Sequence, residues 1–432
     1  MLPRLSRPEI LALQESRLRE LVAHAYENVP FYRQLFDSAG VHPHDIRGIK
    51  DLCRLPIISK NDLRAVSPES IVARGLAPNS LHLHSTSGSS GEPFQIRRSG
   101  TDLERFLHFL WRHLEYYGAK PDDSVGIVVR LPDALTETKL TERPRLRSRV
   151  RQLWRAAIVL RHSPQAEGIK ANWINCLLEP EAIYRQLLHS TARVLVGYPS
   201  VLARVALQMN GQAQLRPRLI ATMGENLTPG LRLQLAEAFD APVFDIYASN
   251  ELGYMAWECR ESGQFHVCDD GVILEVLRDN QPVAEGEWGE VVGTNLNVLA
   301  QPFIRYRMGD IVTKGRAVCA CGQPFSTILE VQGRKLDYFR LPDGRDLHPY
   351  CIEIALREFL SDVGRFQLIQ ERENLIIARV TARAPFSPQQ ITRMQEAVTS
   401  LIGNEVEFRV DSVEAIAPEP NGKFRVYRSL LN

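Results

Sequence analysis

The sequence predicts an α/β protein built on a sheet of mainly parallel strands, and three observations carry this prediction. Short apolar runs rich in β-branched residues alternate with amphipathic helical stretches up to about residue 250, as in parallel sheets covered by helices. From residue 271 short strands with turn signals follow one another without long helices, which predicts an added β subdomain. From about residue 338 a compact α+β unit of ordinary small-domain size closes the chain.

Each element has its own local signal. Residues 8–40 space apolar side chains as a helix does, until a proline in "NVPFYR" breaks the pattern, and Asn61 is a candidate cap for a following helix. The remaining helix candidates are 101–117, 200–209, 230–239 and 387–403. The strand candidates are 124–129, 192–197, 218–224, 242–249, 271–277, 289–296, 303–312, 366–371, 374–382 and 405–416.

Composition limits the classes of function. The 432 residues include 52 Lys and Arg against 51 Asp and Glu, so no charge excess argues for binding to nucleic acid. The N-terminus lacks the apolar core of a signal peptide, and no apolar run approaches the ~18 residues of a membrane span. We therefore expect a cytoplasmic protein, in which the seven cysteines are thiols or metal ligands and not disulfides.

The stretch "STSGSSGEPF" (85–94) lies between a strand-like piece and "QIRRS". Small residues let backbone N–H groups approach an anion, and hydroxyl groups add donors. The same composition is also typical of a flexible linker. Neither the dinucleotide-binding glycine pattern nor the Gly-Lys-Ser/Thr of a P-loop is present, so the segment alone does not decide between these interpretations.

Several further motifs occur downstream in a fixed order. They are "DIYASNELG" (245–253), "QPFIRYRMGD" (301–310), "VQGRKLD" (331–337) and "PNGKFR" (420–425). Together with the loop, and with "AYENVPFYRQLF" and "LPIISKNDLR" near the N-terminus, they resemble the acyl-adenylate-forming superfamily, and within it the phenylacetate–CoA ligase family and its capsule-biosynthesis (CapK-like) relatives. The resemblance runs from about residue 20 to 425. It implies a large adenylate-forming domain, 1–336, with its β subdomain at about 255–335, and a small mobile lid domain, 337–432.

The resemblance also implies a role for each matched residue. The residues expected to hold ATP are Thr86, Ser87, Gly88, Ser89, Ser90 and Gly91 around the phosphates, Gly224 and Glu225 beside the adenine, Tyr247 stacked on the base, Asp310 on the ribose hydroxyls, and Arg334 on the ribose or a phosphate. Glu251 is expected to bind Mg²⁺, and Lys423 is expected to be the mobile catalytic lysine. Taken singly, Glu251, Asp310 and Lys423 each have an ordinary structural interpretation, as a helix-start acid, a turn residue and an exposed lysine.

The sequence departs from the superfamily pattern at three points. Phe94 stands where a lysine often follows the loop's proline, so this loop is expected to hold phosphate mainly through backbone N–H groups and hydroxyls. Asn250 replaces the usual Ser or Thr before the Mg²⁺-binding glutamate. Leu336 occupies the usual hinge-aspartate position, and Asp337 follows it, which leaves the domain boundary uncertain by a residue or two.

The implied reaction joins ATP and a carboxylic acid to give an acyl-AMP, and then transfers the acyl group, with coenzyme A as the first candidate acceptor. Aromatic acids are the first expectation, in a pocket that includes Tyr198, Tyr254 and Trp257. Two alternatives stay open at this point. One is a tailoring ligase that passes the acyl group to an amine or hydroxyl of a glycan or natural product. The other is a nucleotide-binding protein without catalysis.

Cysteine spacing predicts a second site. "ECRESGQFHVCDD" contains Cys259 and His266, and "VCACGQ" contains Cys319 and Cys321. Three cysteines and a histidine from two separate segments form a set typical of tetrahedral structural Zn²⁺, with Cys268 left out. The alternative is a group of reduced thiols beside a histidine with an ordinary hydrogen bond.

Residues 141–161 contain seven arginines and one glutamate, with apolar side chains at helical spacing. This basic amphipathic segment is a candidate contact for a membrane surface, an acidic carrier or the phosphates of coenzyme A. An ordinary solvated helix packed on the core is the alternative. A homodimer is left open as a further partner.

Overall fold

The computed structural model describes residues 5–76, 81–85, 94–131, 170–209, 215–316, 318–334, 339–347, 349–356, 358–359, 363–382, 386–417 and 424–431. The nine α-helices of these residues are α1 (Arg7–Asn28), α2 (Pro30–Ser38), α3 (Lys60–Arg64), α4 (Gly100–Tyr117), α5 (Pro180–His189), α6 (Pro199–Ala206), α7 (Pro229–Phe239), α8 (Tyr350–Leu356) and α9 (Pro388–Ile402). The basic segment 141–161 lies outside the described residues.

The strands fall into one large and three small sheets within the described chain. The large sheet contains β3 (Ser124–Val129), β4 (Lys170–Asn175), β5 (Val194–Gly197), β6 (Leu219–Met223), β7 (Val243–Ser249), β8 (Gly253–Glu258), β9 (Phe265–Val267), β10 (Val272–Arg278), β11 (Gln281–Pro282), β12 (Trp288–Asn295), β13 (Tyr306–Lys314) and β14 (Thr327–Arg334). The small sheets contain β1 (His82–Ser85) with β2 (Gln95–Arg98), β15 (Phe339–Arg340) with β16 (Asp346–Leu347), and β17 (Val363–Arg372), β18 (Leu375–Ala382), β19 (Glu407–Ser412) and β20 (Tyr427–Ser429).

The parallel part of the large sheet has the order β4-β3-β5-β6-β7. Its apolar side chains alternate between two buried clusters. Val194, Val196 and Leu219 face the cluster that includes α1, α2 and α4, whereas Leu195 and Ile220 face the cluster formed with α5, α6 and α7. Successive side chains of a strand point to opposite faces, so a sheet covered on both sides needs the continuous apolar runs seen in the sequence. The α/β prediction is confirmed.

The predicted β subdomain is not a separate sheet. β8 pairs antiparallel with β7, and β9, β14, β13, β12, β10 and β11 continue the same sheet with antiparallel neighbours. The sequence pattern predicts β10, β12 and β13 but not β8, β9 or β14. These three strands connect the parallel half to the antiparallel half, and their pairing is long-range in sequence.

The junction between the two halves is narrow. β14 pairs with β9 through Thr327 and Ile328, which lie opposite His266 and Phe265. The other end of β14, at Arg334, pairs with Asp310 of β13 instead. The two halves are therefore hydrogen-bonded at one end of β14, and the Arg334 end can curve towards the carboxyl ends of the parallel strands.

The C-terminal residues form a four-stranded sheet in the order β19-β18-β17-β20, in which β17 and β18 are antiparallel and the outer pairs are parallel. One cluster of buried side chains, from Phe339 to Tyr427, packs this sheet against α8 and α9. The predicted strands 366–371 and 374–382 and the helix 387–403 each correspond to an observed element.

Two local expectations near the N-terminus have different outcomes. The helical pattern of residues 8–40 is divided into α1 and α2 at Val29, because Pro30 cannot continue the first helix. The predicted cap Asn61 is wrong, since Asn61 is the second residue of α3 and Ser59 precedes the helix. The Asp62 carboxylate accepts hydrogen bonds from the Ser59 N–H at 2.7 Å and from the Ser59 hydroxyl.

None of the described helices is both long and apolar enough to cross a membrane.

A buried arginine ties the N-terminal region to the antiparallel half of the sheet. Arg305 precedes β13 and has a φ of +48°, which is rare for a residue other than glycine. Its Nε and Nη2 donate to both oxygens of Glu275, at 2.9 and 2.7 Å, and Nη1 donates to the Leu55 carbonyl at 2.6 Å. The Thr294 hydroxyl accepts its N–H at 2.9 Å. The backbone on both sides of Tyr306 also pairs with Ile58, so the start of β13 is held from two directions.

We predict that Arg305→Ala lowers the free energy of unfolding by about 3–5 kcal/mol, since the half-buried Glu275 carboxylate and the carbonyl groups of Cys53 and Leu55 would lose the buried guanidinium. The control is Arg185→Ala, which removes the exposed Arg185–Glu181 pair of α5 and should cost about 0.5 kcal/mol or less. Urea unfolding followed by tryptophan fluorescence measures both. Equal costs for the two variants would show that the Arg305 contacts do not stabilise the sheet.

Candidate active site

Asp310 lies on a bulge of β13. The register between β12 and β13 pairs Glu290 with Ile311 and Val292 with Arg307, so residues 308–310 lie opposite Val291 alone. Gly309, with a φ of +76°, takes a left-handed conformation that is strained for most other residues. A bulge redirects a side chain out of the regular alternation of a strand. The Asp310 carboxyl group is thereby brought to the carboxyl ends of the parallel strands.

A tyrosine from the parallel half meets this aspartate. The Tyr247 hydroxyl donates to Asp310 Oδ2 at 2.6 Å, and both side chains are 9% exposed. β14, β9 and β8 lie between β13 and β7 in the sheet, so this bond joins strands that are not neighbours. Arg334, the third residue predicted to contact the nucleotide here, is the register partner of Asp310 on β14.

Glu251 lies in the turn between β7 and β8. The Tyr306 hydroxyl donates to its Oε1 at 3.5 Å. The turn itself is held by the Leu252 N–H, which donates to Ser249 Oγ at 3.0 Å, and by the Asn295 amide, which donates to the Leu252 carbonyl at 2.6 Å. β13 therefore reaches the Tyr247 segment at two points, through Tyr306 at its start and through Asp310 on its bulge.

Arg98 also holds this turn. It lies on β2, directly after the Ser/Gly loop, and its guanidinium donates to the carbonyls of Asn250 and, at 3.5 Å, Glu251. The side chain is buried, and burial lowers the pKa of Arg98 while the carboxylates of Asp102 and Glu251 oppose that shift. A buried guanidinium on carbonyl oxygens links the strand after the loop to the residue predicted to bind Mg²⁺.

Gly224 and Glu225 follow β6 at the same edge of the sheet. Gly224 has a φ of +76° and turns the chain. The Glu225 carboxylate accepts from the Ser200 N–H at 3.1 Å, from the Ser200 hydroxyl at 3.0 Å and from the Phe424 N–H at 2.6 Å. The two Ser200 donors lie in the first turn of α6, where a negative charge is favoured.

The three predicted pocket residues separate into two environments. Tyr254 packs on Phe106, with ring centroids 4.4 Å apart, and the nearby Tyr198 adds to burial in raising its pKa. Trp257 is fully buried, and its ring lies 4.8 Å from Phe325 and 5.3 Å from His266. Tyr198 and Tyr254 are thus near each other at the edge of the sheet, whereas Trp257 packs against the cysteine-containing region. We do not keep Trp257 in the pocket.

Cys259, His266, Cys319 and Cys321 meet at the narrow junction of the sheet, with one ligand atom from each within 4.8 Å of the others. Cys259 Sγ lies 3.9 Å from Cys319 Sγ, and Cys321 Sγ lies 3.3 Å from His266 Nε2. Four ligands at about 2.0–2.3 Å from one Zn²⁺ in a tetrahedron are about 3.4–3.8 Å apart, close to both distances. A sulfur separation of 3.9 Å excludes a disulfide, whose bond is about 2.05 Å.

The protonation of two of the four side chains suits a metal, whereas burial and hydrogen bonds with Cys319 and Cys259 raise the pKa of the Cys321 thiol to about 12. Burial lowers the pKa of His266 to about 4, so the imidazole is neutral at pH 7 and can donate a lone pair. Burial acts to raise the pKa of Cys259, but hydrogen bonds from the Ser262 hydroxyl and from the Ser262 and Glu261 N–H groups outweigh it and lower the pKa to about 7. Such a thiol is easily converted to the thiolate that binds zinc.

Comparison with known proteins gives consistent results. Residues 342–429 match the family model described as the CapK C-terminal domain. The chain is 28% identical to the phenylacetate-coenzyme A ligase of Thermus thermophilus, over 86% of this chain and 80% of that protein. It is also 28% identical to the phenylacetate-coenzyme A ligase of Escherichia coli, over 95% and 90%. The structure superposes on 2-hydroxyisobutyryl-CoA ligase with a TM-score of 0.78 at 22% identity, over 100% of this chain and 93% of that one.

The chain is similar to the phenylacetate–CoA ligase and CapK-like family of acyl-adenylate-forming enzymes. It is therefore an acyl-adenylate-forming ligase, and the resemblance drawn from its motifs is confirmed. Of the residues predicted to bind the nucleotide, the structure brings together Tyr247, Asp310 and the backbone of Arg334. Glu251 is linked to the same strand as Asp310 by the hydrogen bond from Tyr306. The phosphate loop (Thr86, Ser87, Gly88, Ser89, Ser90 and Gly91) and Lys423 lie outside the described residues.

Three residues that shape this ligase's site were not predicted from the sequence. Arg98, Ser200 and Tyr306 each contact a predicted residue, and each is distant from it along the chain. Arg98 had a weak signal, because an arginine within a short buried strand needs a polar partner. Ser200 and Tyr306 had none, since their contacts depend on strand order.

Asp245, two residues before Tyr247, is a half-buried acid with an altered pKa. Burial raises its pKa to about 7, the Glu258 carboxylate adds to the shift, and a 2.6 Å hydrogen bond from the Thr222 hydroxyl opposes it. The folded-state pKa thus exceeds the unfolded value of about 3.9. Between about pH 4 and pH 7 Asp245 is protonated in the folded protein but ionised in the unfolded chain. Its contribution to the free energy of unfolding is therefore complete below about pH 4 and is lost as the pH rises to about 7.

The free energy of unfolding of the wild type should fall between pH 5 and pH 8, because Asp245 loses its proton. We predict that Asp245→Asn makes this fall smaller by at least about 1 kcal/mol. Asparagine stays neutral and can still accept the Thr222 hydrogen bond. Urea unfolding at the two pH values tests this, with Asp240→Asn at the exposed end of α7 as the control. An identical pH dependence for wild type and Asp245→Asn would contradict the raised pKa.

Proposed function

We propose that this ligase uses ATP to activate a carboxylic acid as an acyl-AMP and then transfers the acyl group to coenzyme A. The observation that carries the proposal is the Tyr247–Asp310 hydrogen bond at the carboxyl ends of the parallel strands. Ligands of open α/β sheets bind at this edge. The relatives named phenylacetate-coenzyme A ligase support coenzyme A as the acceptor.

Each residue of the site suits one part of the proposed reaction. Asp310 has two oxygens that can accept the ribose hydroxyls, and the Tyr247 hydroxyl already orients one of them. The ring of Tyr247 offers a face for the adenine base. Glu251 would hold Mg²⁺, which when bound supplies positive charge to the phosphates during attack by the carboxylate. Arg98 fixes the backbone that carries Glu251, and the loop 86–91 and Lys423 would complete the contacts to the phosphates.

An aryl acid is the substrate class that we propose. Tyr254 lies against Phe106 with its ring tilted by 40°, and its hydroxyl lies 4.0 Å from Met223 Sδ. Tyr198 follows β5 at the same edge. Flat, polarisable side chains of this kind suit a planar substrate, and the two tyrosine hydroxyl groups offer polar contacts for its substituents.

The alternative acceptor is an amine or hydroxyl of a glycan or natural product. The match of residues 342–429 to the CapK C-terminal domain favours it, because the C-terminal unit is the part expected to help present the acceptor. The two proposals share the first half-reaction and differ in the second.

We also propose that the chain divides into an adenylate-forming domain, 1–336, and a lid domain, 337–432. The separate cluster of buried side chains that begins at Phe339 and includes Tyr427 supports this boundary. The peptide after Arg334 would then act as the hinge.

The proposed function predicts acid-dependent exchange between ATP and pyrophosphate. A library of aryl and aliphatic acids is tested first, and coenzyme A is then added to look for thioester. Lys423→Ala should lower exchange by at least 100-fold, on the order of 3 kcal/mol of transition-state stabilisation, while ATP still binds. Arg428→Ala, at an exposed position of β20, is the control and should keep full exchange.

The outcomes separate the alternatives. Exchange followed by thioester supports the coenzyme A ligase. Exchange without thioester favours the amine or hydroxyl acceptor. If no acid supports exchange in the wild type, adenylation is refuted, and full activity of Lys423→Ala would remove that residue from its role.

We propose that Cys259, His266, Cys319 and Cys321 hold a structural Zn²⁺. Four protein ligands leave no open position for catalysis. His266 of this cluster pairs with Thr327 where β9 and β14 meet over two residues. A metal would therefore strengthen the narrowest part of the large sheet. Tyr116 of α4 donates to Cys259 Sγ at 3.8 Å, which extends the support to the helix layer.

The zinc proposal predicts about one equivalent of zinc in purified protein by mass spectrometry. Cys319→Ser should remove the metal and lower the melting temperature by at least about 5 °C, since metal binding is part of the folding free energy. Cys53→Ser, at an exposed thiol distant from the cluster, should change neither quantity. Wild-type protein that contains no zinc and loses no stability with a chelator would refute the proposal.

A further inference from the structure

Tyr254 is a buried tyrosine beside the carboxyl end of β7, and its hydroxyl has a weak hydrogen-bond partner. The side chain is 6% exposed. Among the residues that the structure describes, the acceptor for this hydroxyl is the thioether of Met223, with Sδ 4.0 Å from the oxygen. A thioether is a weak acceptor, whereas hydroxyl groups in proteins usually donate to an oxygen at about 2.7–2.8 Å. The Tyr254 hydroxyl is therefore a buried donor without a strong acceptor, which is rare in folded proteins.

Tyr32 provides the structural comparison for Tyr254. Both side chains belong to the same cluster of buried residues. The Tyr32 hydroxyl donates to the Pro302 carbonyl at 3.0 Å and accepts from the Ile304 N–H at 3.0 Å. Its hydroxyl is thus fully paired with backbone groups, as expected of a tyrosine whose role is structural. The Tyr254 hydroxyl has no equivalent pairing with the described backbone.

The ring of Tyr254 is fixed by two aromatic side chains of α4. Its centroid lies 4.4 Å from that of Phe106 and 5.8 Å from that of His113. Phe106 and His113 are separated by about two turns, so they lie on the same face of the helix. Turning the Tyr254 hydroxyl towards another acceptor would break both ring contacts. A donor that is already held in this way can bind an acceptor without further loss of side-chain freedom.

The direction of the hydroxyl indicates which part of a substrate it would meet. Tyr254 lies on β8, and its hydroxyl reaches past β7 to Met223, the last residue of β6. It therefore points along the sheet towards β5 and away from β13, which carries Asp310. Tyr198, which follows β5, is close enough to add to the raised pKa of Tyr254. An acceptor at this position would belong to the acyl part of the substrate and not to the ribose.

We propose that Tyr254 determines substrate specificity, because its hydroxyl donates to an acceptor oxygen on the acyl part of the acid. This inference rests on the proposed function and narrows the substrate class to aryl acids with a hydroxyl, ether or carbonyl substituent. A site that pairs a buried polar group with its substrate rejects the analogue that leaves this group unpaired. The substituted acid is therefore a better substrate than its unsubstituted parent.

The first test asks whether the hydroxyl stabilises the fold, and it does not use activity. Thermal unfolding of the wild type is compared with that of Tyr254→Phe and of Tyr32→Phe, the matched control. Tyr32→Phe should lower the melting temperature by about 2–6 °C, because two backbone groups lose their partner. Tyr254→Phe keeps the ring contacts and should stay within about 1 °C of the wild type or melt at a higher temperature. Equal losses in the two variants would overturn the proposal, because the Tyr254 hydroxyl would then have a structural partner.

The second test compares matched acids. ATP–pyrophosphate exchange is measured with benzoate, phenylacetate, and the meta- and para-hydroxy and methoxy derivatives of each. In the wild type, at least one derivative should exceed its parent in kcat/KM by about 10- to 100-fold. Tyr254→Phe should reduce this ratio to about twofold or less, whereas Tyr32→Phe should retain it. A methoxy oxygen accepts but cannot donate, so a preference for a methoxy derivative identifies the tyrosine as the donor.

The outcomes distinguish this inference from the proposed function. Equal kcat/KM in the wild type for each parent and all its derivatives would overturn the inference, and so would a preference that is unchanged in Tyr254→Phe. If no acid supports exchange in the wild type, the proposed function is refuted, and binding then decides the role of Tyr254. A derivative should raise the melting temperature of the wild type more than its parent does, and the two should have equal effects on Tyr254→Phe. Equal rises in the wild type, or none, would overturn the inference.

Discussion

The interaction between Arg305 and Glu275 sets the position from which the candidate site is built. Arg305 lies directly before β13 with an unfavourable positive φ, and its guanidinium donates to a half-buried carboxylate and to carbonyls of the N-terminal region. A residue stays in such a conformation only where its surroundings compensate for it. Tyr306 and the Asp310 bulge follow Arg305 directly along β13. A displacement of Arg305 would therefore also displace the Tyr306 contact to Glu251 and the Asp310 contact to Tyr247.

The large sheet explains why those contacts bridge non-neighbouring strands. β9 is short and pairs with β14 through two residues, so the antiparallel half is joined to the parallel half over little length. At the joined end lies the cluster of three cysteines and His266, and at the other end the Tyr247–Asp310 bond spans the gap. The proposed metal site and the proposed nucleotide site thus lie at two separate points where the same two halves of the sheet are connected.

Much of this arrangement was predictable, and the errors have identifiable causes. The buried strands β3, β5, β6 and β7 have strong local patterns, and the ordered motifs around Tyr247 and Asp310 led to the family. β8 is buried along its whole length and β9 has three residues, so neither shows the alternation of apolar and polar residues that identifies a strand in the sequence. Trp257 was assigned to the pocket by its chain position beside Tyr254, but its ring packs beside His266. Contacts such as Arg98 with Asn250 depend on topology, which local sequence does not contain.

Phe94 makes the placement of positive charge in this ligase dependent on distant contacts. The superfamily often has a lysine at this position, and here the side chain is buried and apolar. Arg98, four residues later, is the buried arginine of β2, but its guanidinium is occupied by the carbonyls of Asn250 and Glu251. Under the proposed mechanism, the repulsion between two anions must then be offset by Lys423 and by Mg²⁺ held near Glu251. The second depends on the hydrogen bonds by which Arg98 holds the backbone of Asn250 and Glu251, so contacts distant from the loop would contribute to the rate of adenylation.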